Sequence, residues 1–277
     1  MGFNMPALVL AQPARGGYIR FVNNAFVRRL AVPALVLCAW QAACMAHLFS
    51  ATTMPSPTSV VESFWQLLIT NQLLPNLLVS LARVVCGLSC GVAIGTVLAL
   101  AASLSRAGED TIDPTLQMLR TLPHLALIPV LILWFGIGET PKIVIIALGS
   151  MFPVYLNLFS AVRGVDRKLV EAVSILGLSR LETIWHVILP AALPGFLVGL
   201  RQAFGIAWIS LVVAEQINAN AGIGFLVMNA REFLQTNIIF DGLIIYAMLG
   251  LGTDQAVRAL ERRLLVWRPA VIATKGL

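Results

Sequence analysis

The chain has 277 residues, of which 58% are hydrophobic and only 12% charged, and its mean hydropathy is +0.87. Soluble domains carry about 25% charged residues, so this composition excludes an ordinary soluble domain and has room for roughly five to seven membrane spans of ~20 apolar residues each. The net charge of +6 fits basic loops facing anionic lipid better than a nucleic-acid surface.

In chain order, residues 1–29 form a basic arm with Arg15, Arg20, Arg28 and Arg29 and no acidic residue. Residues 30–50 are a hydrophobic run of spanning length. The small residues of AACMA resemble a signal-cleavage site, but the length of the run favours a retained first transmembrane helix. Its Arg28-Arg29 flank should stay in the cytoplasm. A permease-sized core of 51–257 follows. It opens with MPSPTSVVESFWQLL, which reads as a short amphipathic helix on the outer surface.

The second span covers about 77–104. Within it Gly87, Gly91, Gly95, Ala99 and Ser103 recur every fourth residue, a small-residue stripe that lets two helices approach closely. Arg106, Glu109, Asp110 and Asp113 read as a short cytoplasmic turn. The third span, about 115–137, holds Pro123 and Pro129 and should be kinked or interrupted, since each proline removes a backbone donor. GIGETPK at 136–142 reads as an outer turn. The fourth span covers 143–162, the fifth about 191–215 and the sixth about 237–252. A basic tail, 258–277, carries Arg258, Arg262, Arg263, Arg268 and Lys275.

Charge tests this topology. With the N-terminus inside, the inner segments collect those tail cations and the arm, together with Arg106, Arg163, Arg167, Lys168 and Arg180, whereas the outer segments hold only Lys142 and Arg231. The asymmetry predicts an all-α, multi-pass membrane protein of about six transmembrane helices with both termini cytoplasmic. Cys38, Cys44, Cys86 and Cys90 lie in apolar runs and read as small packing residues. His47, His124 and His186 fall in different segments without ligand-like spacing, so neither a metal site nor catalysis is expected. That argues against a membrane-embedded enzyme.

The long inner loop, 164–190, contains EAVSILGLSRLETIWHVILP. Val165 to Ile175 is helix-compatible, and Gly177 suits the positive φ that ends a helix. Ser179 and Glu182 are spaced as a capping box for a second helix, which Leu189-Pro190 should stop. A helix–turn–helix in such a place serves equally as a partner-docking surface or as an interfacial anchor in the headgroups.

The loop resembles E-A-A-x3-G-x9-I-x-L-P, the cytoplasmic signature of the permease subunits of bacterial ATP-binding cassette importers. Glu171, Ala172, Gly177, Leu189 and Pro190 match it, while Val173 and Val187 replace an alanine and the isoleucine. Further stretches, LPHLALIPVLILWFGIGETPKI and NANAGIGFLVMNAREFLQT, are similar to the sulfonate, taurine and nitrate branch, above all to aliphatic sulfonate permeases. The resemblance covers roughly residues 55–270. It implies a type I importer permease fold in which the first loop helix is a coupling helix. It also implies a second permease copy, two ATPase subunits and a periplasmic substrate-binding protein. The chain has no GxxxxGK[ST] loop, so ATP and Mg belong to the partner ATPase and no cofactor is expected in this chain. A stand-alone secondary transporter or channel would explain the spans but not the loop motif.

Polar residues inside spans are functional candidates. Arg83, Arg201, Gln202, Trp208 and Glu215 are the candidates for a translocation path. A small anion such as a sulfonate would suit a cation or amide there. Arg120, His124 and Asn157 share the setting. Each arginine has a structural alternative, in which it reaches headgroups or caps carbonyls, and His124 beside Pro123 reads as a satisfied polar contact at a kink.

Overall fold

The computed structural model describes residues 25–50 and 52–267, and every regular element among them is helical. Most of the expected basic arm (1–24, with Arg15 and Arg20) and the end of the tail (268–277, with Arg268 and Lys275) lie outside the described residues. Two units are distinguished, Met1–Ser59 and Val60–Leu277.

The first unit contains α1, Ala25–Met45, a 21-residue helix with Pro33 inside it. Its register differs from the expected 30–50. The chain leaves the helix at His47, whose φ is 52°.

α2 (Pro57–Ile69) begins in the last residues of the first unit and, in the second, buries Val60, Ser63 and Leu67. This is the one-sided spacing of an amphipathic helix, as its sequence implies. α3 runs from Leu73 to Ser103 over 31 residues, and all five members of the small-residue stripe are buried in it. They lie against α6 (Glu139–Arg163). A Cβ at Gly87 would meet the Ile143 carbonyl at 2.9 Å, one at Gly91 the Ala147 carbonyl at 2.5 Å, and one at Gly95 the Met151 carbonyl at 2.6 Å. The pairings advance together by four, so α3 and α6 are parallel. α9 (Leu189–Asn218) packs antiparallel on the other side of α6, Gly195 and Gly199 nearing the carbonyls of Asn157 and Pro153. The core between these helices includes Val84, Ile145, Ile146, Val154, Ala207 and Leu211.

The acidic segment after α3 is not a turn but the first half of a helix, α4 (Arg106–Leu119). The turn shrinks to Leu104–Ser105 because Ser105 is an N-cap, its Oγ accepting from Gly108 N–H at 3.0 Å. Glu109 in the first turn complements the helix dipole. The expected interruption of the third span is present. α4 ends before Pro123, a tight turn of helix covers His124–Leu127, and α5 (Ile128–Phe135) starts with a proline in its first turn. The two halves are bent by 79°. Gly136, at φ 74°, turns the chain toward α6, which already begins at Glu139, so GIGETPK is half turn and half helix.

α10 (Ile223–Glu232) and α11 (Thr236–Leu264) complete the unit. α11 continues well past the expected 237–252, carrying Asp254, Arg258, Glu261, Arg262 and Arg263 on helix. Four helices, α3, α6, the 180–217 helix and α11, are long and apolar enough to cross a membrane, and the bent pair makes a fifth. The apolar part of α1, Ala31–Met45, is a shorter apolar helix than these. Leu133, Trp134, Ile209, Met248 and Leu251 are exposed on these helices, the pattern of a lipid-facing surface.

Candidate functional site

Two constructions at opposite ends of α6 concentrate the chemistry of this chain. The first is the loop after α6. Asp166 caps α7 (Arg167–Ile175) by accepting from Lys168 N–H at 2.9 Å. The helix ends as its sequence requires. Gly177 takes φ 85°, and the Leu178 N–H folds back onto the Val173 carbonyl at 3.2 Å. Ser179 then caps α8 (Arg180–Thr183) with both halves of the capping box made: Glu182 N–H reaches Ser179 Oγ at 3.3 Å, and Ser179 N–H reaches Glu182 Oε2 at 2.8 Å. Ser179→Ala is expected to cost about 1 kcal/mol locally. The readout is a loss of hydrogen-exchange protection at Glu182 and Thr183 while α6 stays protected.

Leu189-Pro190 does not stop the second helix, contrary to the sequence expectation. Residues 180–217 form one helix of 38 residues, widened over Ile184–Ile188, where the Leu189 N–H bonds to the Ile184 carbonyl five residues back. A proline ring ordinarily collides with the carbonyl four residues earlier. The wide turn just before Pro190 makes room for the ring without breaking the rod. The loop helix and the span are therefore one continuous helix.

On this loop Glu171, Ala172 and Gly177 are exposed, Leu189 is partly buried and Pro190 is exposed. Around Glu171, the apolar side chains Leu169, Ile175, Leu176 and Leu181 also face outward, with Ile175 at 85% and Leu176 at 76% exposure. Val173, where the motif has alanine, is partly buried.

The second construction is a buried ionic cluster where α3 and α6 begin and α9 ends. Arg83, 3% exposed, grips Glu139 with two parallel bonds, Nε to Oε2 at 2.5 Å and Nη2 to Oε1 at 2.7 Å. Its Nη1 donates to Glu215 Oε1 and to the Ala221 carbonyl, both at 2.6 Å. Lys142 Nζ lies 3.0 Å from Glu139 Oε1. Glu215 also accepts from Ser80 Oγ at 2.7 Å, Gly224 N–H at 2.8 Å and Tyr246 OH at 3.3 Å. Three side chains from outside α10 thus satisfy the free N–H groups at its start: Asn76 receives Gly222, Ser80 receives Ile223 and Glu215 receives Gly224. Two cations and two carboxylates balance. Four of the five N–H donors of Arg83 go to protein oxygens.

The remaining candidates separate. Arg201 pairs with Glu261 at 2.6 Å and Asp254 at 3.4 Å, and Trp208 Nε1 donates to Thr253 Oγ1 at 3.2 Å, so both tie α9 to α11. Gln202 stands apart from these. It is exposed, and its Oε1 accepts from Asn157 Nδ2 on α6 at 3.0 Å. His124 Nε2 sits 3.1 Å from Ser210 Oγ, the satisfied contact at a kink that its sequence suggested. The structure therefore joins Arg83 to Glu215 but places Arg201, Gln202 and Trp208 elsewhere. Sequence reasoning missed Glu139 and Lys142, which read as turn residues, and Asp241, which is fully buried and bonded to Ser63 Oγ at 2.5 Å. Asp241 had a legible signal, a lone carboxylate inside IIFDGLII.

The described residues thus make a helical, multi-pass membrane protein with a structured, apolar-faced loop between two spans. The chain belongs to the family of binding-protein-dependent transport system inner membrane components, whose sequence pattern matches residues 91–266. Among relatives, the aliphatic sulfonates transport permease protein SsuC of Bacillus subtilis is 45% identical over 243 residues, 88% of each chain. Its Escherichia coli counterpart is 47% identical over 239 residues, 86% of this chain and 91% of that one. The taurine transport system permease TauC of Escherichia coli is 35% identical over 243 residues. In fold, the chain is similar to an amino acid ABC transporter (TM-score 0.54, 19% identity, 73% of this chain and 95% of the other). It is also similar to the MetNI methionine ABC transporter (TM-score 0.51, 18% identity, 70% and 97%).

Proposed function

We propose that this chain is the translocating subunit of an ATP-driven importer for aliphatic sulfonates in the bacterial inner (plasma) membrane. It works as a homodimer with two ATPase subunits and a periplasmic substrate-binding protein. ATP and Mg are held by the ATPase, and this chain carries no catalytic residue. Both termini and the 164–190 loop face the cytoplasm, a topology supported by the concentration of Lys and Arg on those segments.

One observation carries the docking role of the loop: Ile175 and Leu176 stand exposed beside Glu171 on a rigidly capped helix. Exposed apolar clusters of this kind mark contact surfaces. The loop runs without a break into the 180–217 helix, so a push on α7 and α8 is delivered to the span itself. Nucleotide-driven closure of the ATPases would rock the 180–217 levers between inward and outward openings, a rigid-body transition biased by ligand. The motif residues Glu171, Ala172, Gly177, Leu189 and Pro190 form this coupling element. Glu171 pairs with an ATPase cation. An exposed pair contributes less than about 1 kcal/mol, and the apolar contacts supply the rest.

For the path, the exposed Asn157–Gln202 pair on α6 and α9 is the best-placed group. A polar pair left open between spans fits a wet or protein-covered face rather than lipid. Arg83 and Glu215 hold the far end of the bundle together, and Arg201 and Trp208 fasten α11. The sulfonate assignment is supported by the two relatives above 40% identity, and the taurine relative shares the sulfonate headgroup.

Glu171→Lys reverses the docking charge, and like-charge juxtaposition at an interface costs several kcal/mol. Uptake of an alkanesulfonate by cells carrying the complete transporter is expected to fall roughly tenfold or more, while the purified chain remains folded. Undiminished, ATP-dependent uptake would remove Glu171 from the coupling role. Growth on an alkanesulfonate against growth on taurine, each as sole sulfur source, tests the substrate.

A further inference from the structure

A cavity of about 490 Å³ opens where α3 and α6 end, between those helix ends and the α7–α8 turn. Three arginines line it: Arg163 in the last turn of α6, Arg167 at the start of α7 and Arg180 at the start of α8. The hydroxyl residues Ser103, Ser174 and Thr183 also line the wall, and no acidic residue does. Two of the guanidiniums are positioned by protein. Arg163 Nη2 lies 2.7 Å from Glu109 Oε1, and Arg180 Nη2 donates to the Leu104 carbonyl at 2.9 Å. Each retains further N–H donors beyond those contacts. The Arg167 side chain makes no hydrogen bond or ion pair among the described residues.

We propose that this cavity is a binding site for a phosphate- or sulfonate-type oxyanion, held by Arg163, Arg167 and Arg180. Like charges converging on one concavity repel, and a multivalent oxyanion removes that repulsion. Guanidinium forks match tetrahedral oxyanions with paired, charge-assisted bonds. Glu109 pairs with Arg163, and Asp166, Glu171 and Glu182 on the same loop do not line the cavity, so the charged side chains of its wall are all positive. The volume suits a small ligand and exceeds what a bare oxyanion needs, so it also accommodates the head of an anionic lipid.

Occupancy has a mechanical consequence. The three arginines sit on α6, α7 and α8, and Arg180 already bonds the end of α3. A shared anion would therefore pin the loop to the spans. This site is independent of whether α7 docks an ATPase, and binding to the permease alone reads it out.

The test uses the full-length purified chain in lipid nanodiscs. In discs of neutral phosphatidylcholine, equilibrium binding of radiolabelled sulfate is measured. In discs containing phosphatidylglycerol, retained lipid is counted by native mass spectrometry. One saturable site per chain for either probe is expected. Sulfate binding identifies a free oxyanion as the occupant, and phosphatidylglycerol retention without sulfate binding identifies a lipid headgroup. Arg167→Gln is expected to weaken the bound probe roughly tenfold, the effect of losing a charge-assisted contact. Lys168→Gln, which removes a neighbouring cation that does not line the cavity, should leave binding unchanged. Binding of neither probe overturns the proposal, as does an equal loss from Arg167→Gln and Lys168→Gln, which would mark a diffuse charge effect.

Discussion

Gly91→Leu is expected to leave little folded protein. At this position a single Cβ already comes 2.5 Å from the carbonyl oxygen of Ala147 on α6 and crowds the Ser150 hydroxyl. Ser150 could turn aside, but a helix carbonyl bonded into its own ladder cannot. Adding an isobutyl group requires α3 and α6 to part along their length, because Gly87 and Gly95 make the same approach one turn away on either side. Overpacking in a core typically costs about 1–3 kcal/mol. A backbone-limited contact in the middle of a 31-residue helix should exceed that range and consume much of a native stability of about 5–15 kcal/mol. Gly250→Leu is the contrast, since nothing lies within 4 Å of the Cβ position there. The measurement is the monodisperse fraction after detergent extraction, by fluorescence-detected size exclusion. Gly250→Leu should elute as the parent does and Gly91→Leu should aggregate. Equal profiles would show that α3 and α6 are not packed through this stripe.

How far the sequence reveals the fold is best seen by comparing that stripe with the ionic cluster. Five small residues at a spacing of four are a local pattern with one geometric meaning, so burial of the whole stripe against another helix could be read directly. The same holds for Gly177 and the Ser179–Glu182 box, whose geometry is set within four residues. Boundaries resting on weaker local signals moved. Ser105 outranked the charge of Arg106–Asp113 and made it helix, and a wide turn neutralised Pro190 as a stop. The role of Arg83 was beyond a local reading. Its partners Glu139 and Glu215 are 56 and 132 residues away, and nothing in GIGETPK marks its glutamate as a ligand of α3. Gln202 shows the opposite limit: its sequence marks it as polar in a span, but only the packing of α6 and α9 shows that it stays exposed.

The cluster's two carboxylates make a sharp paired prediction. Glu215 is 1% exposed and accepts from Ser80, Arg83, Gly224 and Tyr246. Glu215→Ala removes the acceptor of all four donors at once, strands the Gly224 N–H at the start of α10 and leaves Arg83 with Glu139 and the Ala221 carbonyl. Removing one partner of a buried pair costs about 3–5 kcal/mol, because the remaining charge has no water to fall back on. The Glu139 side chain is 56% exposed. It makes more charged contacts than Glu215, three against one, but its own carboxylate is reached by water and Arg83 keeps Glu215, so Glu139→Ala should cost less than Glu215→Ala. Counting charged contacts alone ranks the two residues the other way. Thermal unfolding of the two variants in the same detergent decides between burial and the number of charged contacts. A Tm drop several-fold larger for Glu215→Ala is expected, at 0.05 M and 0.5 M salt alike, since a buried pair is little screened. A larger drop for Glu139→Ala, disappearing at high salt, would mean that the cluster is held from its exposed side and that Glu215 is not the residue that fixes α10.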